Sequence, residues 1–176
     1  MSQALEILKD IASSTLRNAA GLPYVETGET EWQGLGFQIG GVRMVSRVGD
    51  ITEMLLVPRL TRLPGVKRWV AGMANVRGRL IPIIDLHRYL DIPNTSGKLL
   101  RRVMVVESGD LVAGLVVEQS LGMQHFSLES FEQGLPEGLT KLHPYLDGAY
   151  RHGGRIFYVA KLKELIADEQ FMDVSE

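Results

Sequence analysis

Residues 63–86 read LPGVKRWVAGMANVRGRLIPIIDL, and their punctuation spells a hairpin. Pro64-Gly65 opens the stretch with a turn. Trp69–Val76 is an apolar run interrupted by Gly72, and a glycine inside a strand marks a bulge or a close backbone approach. Asn75-Val76-Arg77-Gly78 then puts an arginine at the lip of a short turn, and Leu80–Leu86 is the return strand. Pro82 removes a ladder donor, so the return strand is expected to be an edge at that point. Asp85 ends it and suits the cap of a helical turn over His87–Leu90, stopped by Pro93. An edge strand with an arginine beside it makes a docking surface.

The same reading extends outward. Leu35, Phe37 and Ile39 alternate with Gly34, Gly36, Gln38 and Gly40, and Gly40-Gly41 turns the chain into Val42, Met44 and Ser46. Ile51–Val57 is a further strand, closed by Pro58. Arg102–Glu107 and Leu111–Glu118 form a second hairpin around Ser108-Gly109-Asp110. Its apolar cores, Val103–Val106 and Leu115–Val117, are continuous rather than alternating, which calls for burial on both faces. Residues 126–144 read as loop. Tyr145–Arg151 and Arg155–Ala160 form a third hairpin around His152-Gly153-Gly154, and Lys161–Phe171 reads as a closing helix. Ahead of the strands, Ser2–Ala20 has helical spacing (Leu5, Leu8, Ala12, Thr15, Ala19) and is followed by a polar linker. That helix fits a surface element of its own domain and a docking helix for a partner equally well. Some ten short strands bounded by turns point to an all-β fold of small barrels rather than a parallel sheet.

Composition narrows the function. The chain has 176 residues, 45% hydrophobic and 23% charged, with net charge −2, which fits a folded domain and excludes wholesale disorder. There is no cysteine, so disulfides, thiol nucleophiles, iron–sulfur clusters and Cys-type zinc sites fall away. The N-terminus lacks the pattern of a secretory signal and no apolar stretch is long enough to span a bilayer, so a cytoplasmic protein without membrane insertion is expected. His87, His125, His143 and His152 lack metal-ligand spacing, and no Gly-x-Ser-x-Gly elbow is present. The glycines at 34–41 lie in alternating strands and lead into no helix, so they are no dinucleotide fingerprint. The expectation is therefore no enzyme, no cofactor and no metal. Charge is uneven: residues 59–102 carry ten Lys/Arg against Asp85 and Asp91, whereas residues 103–176 carry five against twelve. Such asymmetry favours oriented docking to charged partners, or simply marks two solvated faces. A nucleic-acid-binding β-barrel using residues 59–102 is the competing class, opposed by the acidic C-terminal half and by the few aromatics beyond Trp69 and Tyr89.

The stretch 63–86 resembles the signature of the CheW family of chemotaxis coupling proteins. The matching residues are Pro64, then Trp69-Val70-Ala71-Gly72-Met73-Ala74-Asn75-Val76-Arg77-Gly78, then Pro82-Ile83-Ile84-Asp85-Leu86. The resemblance continues through Phe37–Gly41, Ile51–Met54, Gly114–Glu118 and Tyr145–Tyr150, covering about residues 32–170. It implies two intertwined five-stranded SH3-like β-barrels flanked by an N-terminal and a C-terminal helix. It divides the chain into a helical extension and linker at 1–31, a CheW-like domain at 32–170 and a tail at 171–176. It also implies a non-enzymatic adaptor between the cytoplasmic tip of a methyl-accepting chemoreceptor and the regulatory domain of a CheA-type histidine kinase. The long extension is similar to that of adaptors in type IV pilus chemosensory systems, which govern twitching motility, with flagellar chemotaxis as the alternative. By the same resemblance Gly72, Asn75, Arg77 and Glu53 match positions associated with receptor and kinase coupling, and Ile51 and Met54 lie on or near the kinase-facing surface. Two structural readings stay open: Arg77 holding its hairpin by an ion pair to Glu53, and Gly72 serving backbone geometry. Two departures from the family pattern are Ala160-Lys161-Leu162 at the closing helix and Glu118-Gln119-Ser120 in place of Asp-x-Val.

Overall fold

A computed structural model of the chain describes residues 30–176. The helix expected over residues 2–20, and nearly all of the extension at 1–31, therefore lie outside the described residues. Eleven strands form two sheets. The first takes β1 (Glu31–Ile39) and β2 (Val42–Arg47) from the start of the described chain and β8 (Gln119–Ser127), β9 (Phe131–Glu132), β10 (Leu146–His152) and β11 (Arg155–Ala160) from its end, in the order β8-β1-β2-β11-β10-β9. The second is built from the continuous segment between them: β3 (Ile51–Leu56), β4 (Val70–Val76), β5 (Arg79–Asp85), β6 (Arg102–Ser108) and β7 (Leu111–Val117), in the order β3-β6-β7-β5-β4. One sheet is thus inserted into the other, as the intertwined arrangement requires. The first has a sixth strand, the two-residue β9, beyond the five expected.

The β6–β7 hairpin explains how two sheets make one body. Along β6, Met104 and Val106 enter the main core while Val103 and Val105 enter a second one. Along β7, Ala113, Leu115 and Val117 face the main core and Val116 the second. A strand alternates its side chains between two faces, so an unbroken apolar run means that both faces are covered. The main core joins this hairpin to Phe37, Ile39 and Met44 of the first sheet and to the C-terminal helices. A third cluster, with Phe126, Tyr150 and Phe157, fills the outer side of the first sheet.

Two expectations need correction. β8 is a nine-residue strand where the sequence suggested none, because its side chains are mostly half-exposed and show no clean alternation. The closing helix is two short helices, α2 (Leu162–Ala167) and α3 (Glu169–Met172), following α1 at Leu86–Leu90. The break falls at Asp168, whose carboxylate accepts the amides of Gln170 and Phe171 and the hydroxyl of Tyr145, so it caps a new helix instead of continuing the old one. Residues 171–176 are anchored: Phe171 is fully buried, and Lys67 donates its amide to Val174 O at 2.9 Å. Pro82 behaves as read. It pairs with Met73 on β4, and the parallel ladder to β7 begins only at Ile83, so the missing donor faces an edge even though β5 as a whole is interior.

Because Leu115 and Val116 are adjacent yet feed separate cores, truncating either to alanine should cost about 2–4 kcal/mol, whereas Met123→Ala on exposed β8 should cost under about 0.5 kcal/mol. Urea denaturation of the three variants checks this; a tolerated Val116→Ala would mean that the hairpin is buried on one face only.

Candidate partner-binding surface

The β4–β5 hairpin turns on two residues, Arg77 at φ 50° and Gly78 at φ 79°. Left-handed backbone at both central positions belongs to the turn whose twist matches antiparallel strands. Glycine adopts it freely and arginine at a cost, so something must hold Arg77 there. Asn75 does: its Oδ1 accepts the Gly78 amide at 2.9 Å. The sequence-predicted pair Asn75 and Arg77 therefore divides the work, Asn75 fixing the turn and Arg77 being displayed by it.

Arg77 Nε sits 2.9 Å from Glu53 Oε2 on β3, with the arginine side chain 79% exposed. β3 and β4 are the outermost named strands of the second sheet, so this pair links them across the end of the barrel. A second pair, Arg79 Nη1 to Glu107 Oε1 at 2.5 Å, parallels it. Between the pairs runs a groove of about 170 Å³ with a floor of Val76, Ile81, Val105 and Val112 and walls of Glu53, Arg77, Arg79 and Glu107. Leu80, opposite Asn75 in the ladder, is 66% exposed beside it. An apolar floor between charged walls can seat an apolar partner side chain while the arginine exchanges a solvated ion pair, worth at most about 1 kcal/mol, for a partner carboxylate.

The remaining predicted residues do other things. Gly72 sits at φ 148° where the β4–β5 register shifts, and a Cβ there would lie 2.5 Å from Thr61 O. That carbonyl accepts the Met73 amide at 2.8 Å, and Met73 O accepts the Thr61 amide at 2.9 Å. Gly72 thus lets residues 60–62 close over β4, the backbone role that the sequence left open. Ile51 is a correction: it is only 8% exposed and belongs to the main core, so it offers a partner no side-chain surface. Met54 is half-buried against the same core. The sequence missed Arg79 and Glu107, whose pairing spans strands 28 residues apart and leaves no local pattern.

A buried polar cluster lies where the chain crosses between sheets. Glu118, the single residue between β7 and β8, accepts hydrogen bonds from the Gln38 side chain at 3.1 Å and the Gly41 amide at 3.3 Å, both in the first sheet's leading hairpin. Its other oxygen meets His87 Nε2 on α1 at 3.2 Å. Among the described residues no helix is long and apolar enough to cross a membrane.

Comparison with known proteins agrees with this architecture. The family model for the CheW-like domain matches residues 33–170. Protein PilI of Pseudomonas aeruginosa is 41% identical over 170 residues, 97% of this chain and 95% of that protein. Chemotaxis protein CheW of Thermotoga maritima is 30% identical over 80% of this chain and 85% of its own. The crystal structure of the scaffolding protein TtCheW from Thermoanaerobacter tengcongensis superposes with a TM-score of 0.68 at 20% identity, covering 80% of this chain and 90% of that one.

The geometry separates two classes of substitution. Gly72→Ala must displace backbone and is expected to lower stability by on the order of 2 kcal/mol, while Arg77→Ala should change it by less than about 1 kcal/mol. Thermal and urea denaturation read both; equal losses would show that Arg77 is itself a structural residue.

Proposed function

This chain belongs to the CheW-like domain family of non-enzymatic coupling scaffolds, and from that membership we propose that it joins a chemoreceptor's cytoplasmic tip to the regulatory domain of a CheA-type histidine kinase. The reading takes the protein to work in the cytoplasm, held near the membrane only through its partners. The observation that carries the kinase side is the displayed Arg77: its turn is fixed by Asn75, its backbone conformation is unusual for arginine, and its side chain stands exposed beside an apolar groove. A hairpin needs only glycine or asparagine at that position, so an arginine held there suits recognition better than folding. Glu53 and Asn75 support it, Met54 and Leu80 contribute apolar surface at its margin, and Gly72 shapes the strand behind. The receptor tip, a helical hairpin, binds the same domain with its apolar face down.

The pathway we propose is a type IV pilus chemosensory system controlling twitching motility. Similarity to PilI supports this, since it spans 97% of this chain and so takes in most of the N-terminal extension. No step of this function asks for turnover. An affinity of about −8 kcal/mol, micromolar binding, suffices where many weak contacts repeat in an array.

Charge reversal is the direct test. Arg77→Glu should weaken binding to the isolated kinase regulatory domain at least about ten-fold, or about 1.4 kcal/mol, with the melting temperature nearly unchanged. Titration calorimetry measures the affinity. Unaltered binding by a folded Arg77→Glu variant would remove Arg77 from the kinase interface.

A further inference from the structure

His87 and Glu118 are among the most deeply buried polar side chains of the described chain, 2% and 4% exposed, and the surface described above uses neither. The imidazole lies between two carboxylates. Its Nε2 is 3.2 Å from Glu118 Oε1, and its Nδ1 is 3.6 Å from Asp85 Oδ1 without a hydrogen-bond partner. Neutral imidazole carries one N–H and one lone pair. With the proton on Nε2, the Nδ1 lone pair faces Asp85; with it on Nδ1, the Nε2 lone pair faces Glu118. Either neutral form therefore turns a lone pair toward a carboxylate, and only imidazolium presents a donor to both.

This arrangement ties the sheets together. Asp85 ends β5 of the second sheet and caps α1, accepting the His87 amide at 3.0 Å and the Arg88 amide at 3.4 Å. Glu118 grips the first sheet through Gln38 and Gly41, and Gln119 donates to Gln38 at 3.1 Å behind it. The charge on His87 thus bridges a carboxylate rooted in one sheet and a carboxylate bonded to the other. We propose that the His87–Glu118 contact is a protonation-dependent latch between the two sheets, and that its state regulates binding of the receptor tip. The regulatory part rests on the coupling function proposed above; the latch itself does not.

Proton affinities run the same way. Burial works against a charged His87, but the nearby carboxylates of Asp85 and Glu118 more than offset it and hold its pKa above the ordinary 6.5. Burial likewise opposes ionisation of Glu118 and Asp85, yet His87, assisted by the Gly41 amide at Glu118 and by the Arg88 amide at Asp85, holds both below their ordinary 4.5 and 3.8. The other charged groups around the imidazole are Arg68, Arg88 and Asp91. They line a cavity of about 490 Å³ against it and are paired, Arg68 with Asp91 and Arg88 with Asp85. A raised histidine stabilises the folded chain fully below 6.5 and loses that contribution as pH rises through its folded value; the lowered carboxylates contribute above 4.5 and 3.8 and lose theirs as pH falls. The latch is closed between these limits and opens toward alkaline pH.

The test uses the full chain. Imidazole NMR should show His87 titrating above the ordinary histidine value, and melting temperature should fall as pH rises above 6.5. His87→Gln and Glu118→Gln keep hydrogen-bonding groups in place and should flatten that fall; the second serves if the first does not fold. Receptor-tip affinity should drop several-fold over the same range in the wild-type chain and stay flat in a folded variant. A His87 titrating below the ordinary value, or a variant retaining the full melting-temperature dependence, overturns the latch. An intact latch titration with no receptor binding at any pH overturns the coupling function and leaves the latch standing as a device of the fold.

Discussion

The structure depends on one constraint: the β6–β7 hairpin must be covered on both faces. A continuous apolar run in a strand cannot rest against water on either side, so a second layer is obligatory. The chain meets that need by building its second sheet from residues 51–117 in one piece and bringing both of its ends back to make the first. The main core and the second core are then opposite sides of the same two strands. Two parallel pairings follow from this interleaving, β5 with β7 and β2 with β11, whereas the other ladders among the described residues are antiparallel.

That architecture leaves two kinds of place for function. At one end of the second sheet, its outermost strands β3 and β4 are joined by side chains rather than by a ladder, through the Glu53–Arg77 pair, whose arginine is exposed. An ion pair so exposed contributes little to folding, which leaves it free to be exchanged on binding. At the other extreme, where the chain crosses between sheets, Glu118 and His87 are sealed from water and their energetics are tied to the fold.

Much of this was legible in the sequence, for identifiable reasons. The three hairpins announce themselves through glycine turns between apolar runs, and double burial of the second follows from its missing alternation. Asn75, Arg77 and Gly78 were visible because turn chemistry is local: left-handed backbone and an asparagine cap leave a signature within four residues. Gly72 was readable as a bulge, although the Thr61 carbonyl that requires it lies on another segment. The illegible parts are those fixed by distant pairing. β8 has too few inward side chains to show a period, and Asp168 breaks the closing helix through a bond to Tyr145 that spacing cannot reveal. Ile51 lies beside the displayed Glu53 in sequence but is turned into the core, and only the coordinates show which way it faces. Arg79–Glu107 and His87–Glu118 join residues about thirty apart, with no motif to connect them.

The central claim is that this chain works by holding two proteins at once. Sedimentation velocity of a receptor cytoplasmic fragment and a kinase regulatory domain, mixed with and without the chain, tests it most directly. The account predicts a ternary species that forms only when the chain is present, containing all three components. Mutually exclusive binding, in which receptor fragment displaces kinase domain from the chain, would contradict it.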